Sequence, residues 1–150
     1  MNHPALTYRQ FSVQGAPPLS LVGMLYDGAI TFLQRAVAAI EAHDIEKKCQ
    51  HLNRALAIIV QLEGSLNFEQ GGEVAQTLKS LYVYARAQAM KAHAENSAEI
   101  LRALIENFTT VRDAWREGER HLATRGASSP AEKRSAREDW GDAVELSIAD

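Results

Sequence analysis

The chain has 150 residues, 46% of them hydrophobic and 23% charged, which are the proportions of a single soluble domain able to bury roughly two thirds of its unfolded surface. A formal net charge of -3 gives no basic field to attract nucleic acid, and no apolar run reaches the roughly eighteen residues of a membrane span or forms a signal peptide at the N-terminus. The one cysteine, Cys49, excludes an internal disulfide; on an apolar helix face it is expected to be a buried, inert thiol, which suits a reducing, cytoplasmic setting.

Residues 1–16 are polar and mixed, with Tyr8, Phe11 and Val13 but no helical periodicity, and are expected to form an N-terminal arm. Pro17-Pro18 then marks a helix start, because the N–H that proline lacks is not needed in a first turn. The helix runs to about Ala42 with Val22, Tyr26, Ala29, Leu33, Ala36 and Ile40 on one stripe, widened by Leu25, Phe32 and Val37. So broad an apolar face predicts a central helix against which the others pack.

Asp44 is placed to cap a second helix, with Glu46 set favourably against its dipole. Two stripes follow, Ile45, Cys49, Leu52, Leu56, Ile59 and Leu66 beside Ala55, Ile58 and Leu62, and together they exceed what one core needs. Asn67, Gly71 and Gly72 interrupt the pattern and predict a connection over 66–72. A third helix over 73–94 packs through Val74, Leu78, Leu81, Tyr82 and Ala85. Asn96 with Glu99 resembles a capping box that starts a fourth, whose apolar residues run from Ile100 through Trp115 and stop before Gly118. Short connections make sequential helices antiparallel neighbours, so the expected fold is an all-α, up-down-up-down four-helix bundle over 17–118. Residues 119–150 are expected to be a mostly mobile polar tail; Ser129-Pro130-Ala131-Glu132 offers the alternative of a short helix to about Trp140, with Val144 and Ile148 extending a weak apolar row.

Chemistry is hard to find in this pattern. No histidine follows a glutamate by three positions, as in the ligand pairs of di-iron bundles, and no second cysteine, phosphate-cradling glycine loop or nucleophile elbow is present. Neither a catalytic residue nor a metal or cofactor site is therefore expected.

Met24-Leu25-Tyr26-Asp27-Gly28-Ala29-Ile30 with Phe32-Leu33 and Ala36 resembles the first helix of the flagellar secretion chaperone FliS family. Arg54-Ala55 with Ile58-Ile59, Gln61-Leu62 and Leu66 is similar to that family's second helix, Leu81-Tyr82-Val83-Tyr84 to its third, Val111-Arg112-Asp113-Ala114-Trp115 to the end of its fourth, and Tyr8-Arg9-Gln10 with Ser12-Val13 to its N-terminal arm. Pro17-Pro18 with Ser20 departs from the family's helix start by lacking a side-chain cap.

The resemblance implies a cytoplasmic export chaperone that binds the disordered C-terminal segment of flagellin, prevents premature polymerisation and hands it to the flagellar export apparatus. A co-chaperone or regulator as a further partner and a homodimer in the client-free state are left open. It also implies that Tyr8 stands in for a client side chain until flagellin displaces the arm. Capture of an amphipathic segment needs an apolar groove and a wrap over several helices large enough to offset the ordering entropy of the client. The surplus apolar face of helix two places the expected groove at Ala55, Ile58, Ile59, Leu62 and Leu66, joined by Tyr84 and Ile105 from helices three and four. A generic helical adaptor, or a dimerising structural protein using the same faces as a subunit interface, is the alternative.

Overall fold

The computed structural model describes residues 19–125, and all of its regular structure there is helical: α1 (Leu19–Glu41), α2 (Ile45–Gly64), α3 (Phe68–Glu95) and α4 (Ala98–Arg125). The expected arm, with Tyr8, and the tail beyond Arg125 lie outside the described residues. The longest unbroken helix, α4, has 28 residues, about 42 Å of rise. They form the antiparallel four-helix bundle expected from the pattern, with α1 flanked by α2 and α4, and α3 closing the square between the same two.

Each turn has a local cause. After α1 the chain passes through His43 with a left-handed φ of 58°, and the Asp44 side chain caps α2 by accepting from the Lys47 N–H at 3.1 Å, as the sequence predicts. Asn67 caps the next helix by accepting from the N–H groups of Glu69 and Gln70. One turn follows before Gly72 breaks it at φ 51°, ψ -125°, a backbone conformation open to glycine, and the main body of α3 begins at Glu73. The predicted connection over 66–72 is thus partly helical.

Asn96 does not open α4. It ends α3 in the left-handed conformation, and the Ser97 hydroxyl caps α4 instead, accepting from the Ile100 N–H at 3.2 Å. The fourth helix also continues past Gly118 to Arg125, because a mid-helix glycine costs only about 1 kcal/mol and the residues after it favour helix.

The core is continuous from Val22 to Val111 and draws on all four helices. Tyr26, Leu33, Leu52, Leu81, Leu101 and Phe108 are completely enclosed, each burying surface worth about 1.5–3 kcal/mol. The wide apolar face of α1 is explained differently from the expectation of a helix surrounded by its neighbours: α1 occupies one corner, but its side chains reach the opposite one. Tyr26 meets Tyr82 of α3 hydroxyl to hydroxyl at 2.6 Å and lies 5.5 Å, ring centre to ring centre, from Phe108 of α4.

Candidate protein-binding surface

Three of the side chains expected to line a groove are core side chains. Ala55, Ile59 and Leu62 are buried under the α2 backbone, because the inward row of α2 is Lys48, Leu52, Ala55, Ile59 and Leu62, a 4-3-4-3 spacing that runs between the two stripes read from the sequence. They support a surface from beneath instead of forming it. Ile58, Leu66, Tyr84 and Ile105 are half-buried, each packed on the core from the rim, so each has area left to offer. Ile58, Tyr84 and Ile105 lie on α2, α3 and α4, and Leu66 in the connection after α2. Ile58 lies in the α1/α2 seam, where its Cδ1 is 3.2 Å from the place a Cβ on Gly28 would take. Ile105 shares an α4 row with Arg102, Arg112 and Arg116, the residues that reach α1 through ion pairs.

Sequence periodicity missed several exposed apolar side chains. Val60 on α2 is 54% exposed, and Val83 and Met90 on α3 are 44% and 63% exposed. Val83 and Met90 stand seven residues apart with Ala87 between them, so the outer face of α3 carries an apolar row opposite the row it buries. The second half of α2 is likewise uncharged: from Ala55 to Leu62 there is no ionisable residue. A signal was present in the sequence. A helix apolar on two opposite faces cannot bury both in one small bundle.

Ion pairs hold these helices in register. Arg86 of α3 bonds both carboxylate oxygens of Glu63 on α2, at 2.8 and 3.0 Å. Asp27 of α1 receives Arg112 at 3.0 Å and also Arg116, so two of the sequence motifs meet across the α1/α4 seam. At one end of the bundle Lys48, in the first turn of α2, is 5% exposed. Its ammonium donates to the His93 carbonyl and to Asn96 Oδ1, neutralising the negative end of α3 while its stem covers the core. It displaces Ile45, which faces solvent. Cys49 is a free, half-buried thiol, less enclosed than its stripe suggested.

Nothing in this arrangement is a catalytic constellation. Among the described residues no three histidine, cysteine, aspartate or glutamate side chains converge as metal ligands, and no helix is long and apolar enough to cross a membrane. What the surface can do is hold another chain, through apolar rows on α2 and α3 and half-buried side chains at the seams.

The comparisons with known proteins agree with that. The family model for the flagellar protein FliS matches residues 1–121. The flagellar secretion chaperone FliS of Campylobacter jejuni is 35% identical over 115 residues, covering 75% of this chain and 90% of the relative. That of Bacillus subtilis is 32% identical over 117 residues, 78% of this chain and 86% of its own length, and that of Salmonella typhimurium 33% over 115 residues, 73% and 85%. The motifs quoted from the sequence fall within the matched residues, and the chain belongs to the FliS family, a family of flagellar chaperones and not of enzymes.

Proposed function

We propose that this chain binds the C-terminal segment of flagellin in the cytoplasm, keeps it from polymerising prematurely and delivers it to the flagellar type III export apparatus. The observation that carries the reading is the exposed apolar row of α3, Val83 and Met90, beside the uncharged stretch 55–62 of α2 with Val60. Flagellin's terminal segments are amphipathic, and a helix-forming segment docks through apolar residues at i, i+3, i+4 and i+7 on a row of this kind. One row is too small to offset the ordering of a disordered client, so the segment wraps. Ile58, Tyr84 and Ile105, on three different helices, and Leu66, in the connection after α2, are the further contacts, and Tyr8 of the N-terminal arm occupies client space until flagellin displaces it.

Calorimetry against flagellin from the same organism tests this, comparing the intact protein with one lacking its last forty or so residues, about the length a wrap requires. Binding to the intact form that disappears with truncation is the expected result. Equal binding to both forms would relocate the client site, and binding to neither, together with a stable homo-oligomer in sedimentation, would favour a helical adaptor that uses the same faces as a subunit interface.

A further inference from the structure

Between α1 and α2 the surface changes character from apolar to cationic. Neither Gly28–Ile40 nor Lys47–Leu62, the two stretches that face each other across this seam, contains an acidic residue, yet besides the buried Lys48 they carry Arg35, Lys47, His51 and Arg54. Arg86, Arg102, Arg112 and Arg116 each have a carboxylate partner. Arg35 and Arg54 have none among the described residues. Both guanidinium groups lie instead 5.6 Å from the centre of the Phe32 ring, one from each helix, and His51 stacks on that ring at 6.3 Å with its Nδ1 buried and without a hydrogen-bond partner. A cation held on an aromatic face is in position to receive a carboxylate from outside without first leaving a partner. Lys47, one turn before His51 and two before Arg54, extends the positive row along α2.

The chain itself contains a segment of matching chemistry. Residues 138–150 carry Glu138, Asp139, Asp142, Glu145 and Asp150 and no basic residue, with Trp140, Val144 and Ile148 spaced four apart among them. Length permits the contact. From Arg125, the end of α4, about fifteen residues lead to Trp140, and extended chain covers up to roughly 50 Å in that number. Arg116 pairs with Asp27, only five residues along α1 from Phe32, so the path back from Arg125 is about 20 Å along the bundle plus the width of one helix, roughly 10 Å.

We propose that the acidic segment 138–150 docks in cis on the α1/α2 seam, its carboxylates on Arg35, Arg54 and Lys47 and an apolar side chain against Phe32. The inference does not rest on the client reading: Phe32, Arg35, Lys47 and Arg54 are none of the proposed client contacts, although Ile58 lies farther along the same seam. A nitroxide at Ser147→Cys, in a full-length Cys49→Ala background, tests it by paramagnetic broadening of backbone amide signals. The expected result is loss of more than half the intensity at residues 32–35 and 51–54, with α3 unaffected. That intensity recovers in the Arg35→Glu/Arg54→Glu variant. It also recovers in the unsubstituted protein at about 1 M salt, where the screening length is about 3 Å, so the answer does not depend on the double variant folding. Broadening that is absent, lies elsewhere, or survives both charge reversal and salt overturns the proposal and leaves the seam to an acidic segment of a partner. So does broadening carried by spin-labelled chains to isotope-labelled chains in a mixed sample, which would place the tail of a second copy there.

Discussion

Tyr26 is enclosed completely, and among the described residues its hydroxyl bonds that of Tyr82 at 2.6 Å. Burial pushes its ionisation well above the ordinary tyrosine range, and the bond to Tyr82 offsets only part of that. The linkage has a definite sign. Below about pH 10 the phenol is neutral in both the folded and the unfolded chain, and its contribution to stability is fully present. As pH rises past the unfolded value the unfolded chain loses a proton that the folded one keeps, so stability falls until the folded-state value is reached. Urea unfolding at successive alkaline pH values should show this decline, and Tyr26→Phe should flatten it while costing about 1 kcal/mol near neutral pH through the bond lost to Tyr82. An alkaline slope unchanged by the substitution would mean that another group controls it.

Adjacent residues on α1 show how differently two contacts between elements contribute. Asp27 joins α1 to α4 through two arginines, but its side chain is 40% exposed, and water and salt screen such a pair. Gly28 joins α1 to α2 by having no side chain, with Ile58 filling the space. Asp27→Asn should therefore cost less than about 1 kcal/mol, with the cost shrinking as salt is added, whereas Gly28→Val should cost about 1–3 kcal/mol at any salt concentration by overpacking the seam. Denaturant midpoints at low and high salt separate the two. The same elements show what periodicity could reveal. It identified all four helices and most of their buried residues, because a stripe repeats over several turns and one deviation is outvoted. It misplaced single positions: Lys48 is inside and Ile45 outside because a carbonyl end of α3, distant in sequence, accepts the ammonium. Asn96 ends one helix instead of starting another because the neighbouring Ser97 hydroxyl supplies the cap.

For the whole molecule, the candidate surface was only partly legible because exposure belongs to the assembled bundle and not to any one helix. An amphipathic pattern shows that α2 has more apolar residues than one face needs; only the packing decides that Leu62 is inside and Val60 outside. This changes how the client reading is tested. Leu62→Asp would put an unpaired carboxylate at a site 1% exposed, and the bundle would lose its fold before binding could be measured. Val83→Asp and Met90→Asp place the same charge on the outer row of α3, where surface substitutions usually alter stability by less than about 0.5 kcal/mol. The double variant should keep its melting temperature within a few degrees and bind flagellin at least about tenfold more weakly, a loss of about 1.4 kcal/mol, since a buried client contact would have to desolvate two carboxylates. Thermal unfolding followed by circular dichroism and calorimetry on the same sample measures both quantities. Unchanged affinity would remove the α3 row from the client path and leave the half-buried seam residues Ile58, Leu66 and Ile105 to carry it, whereas a parallel fall in stability would show that the row is already covered within the free protein.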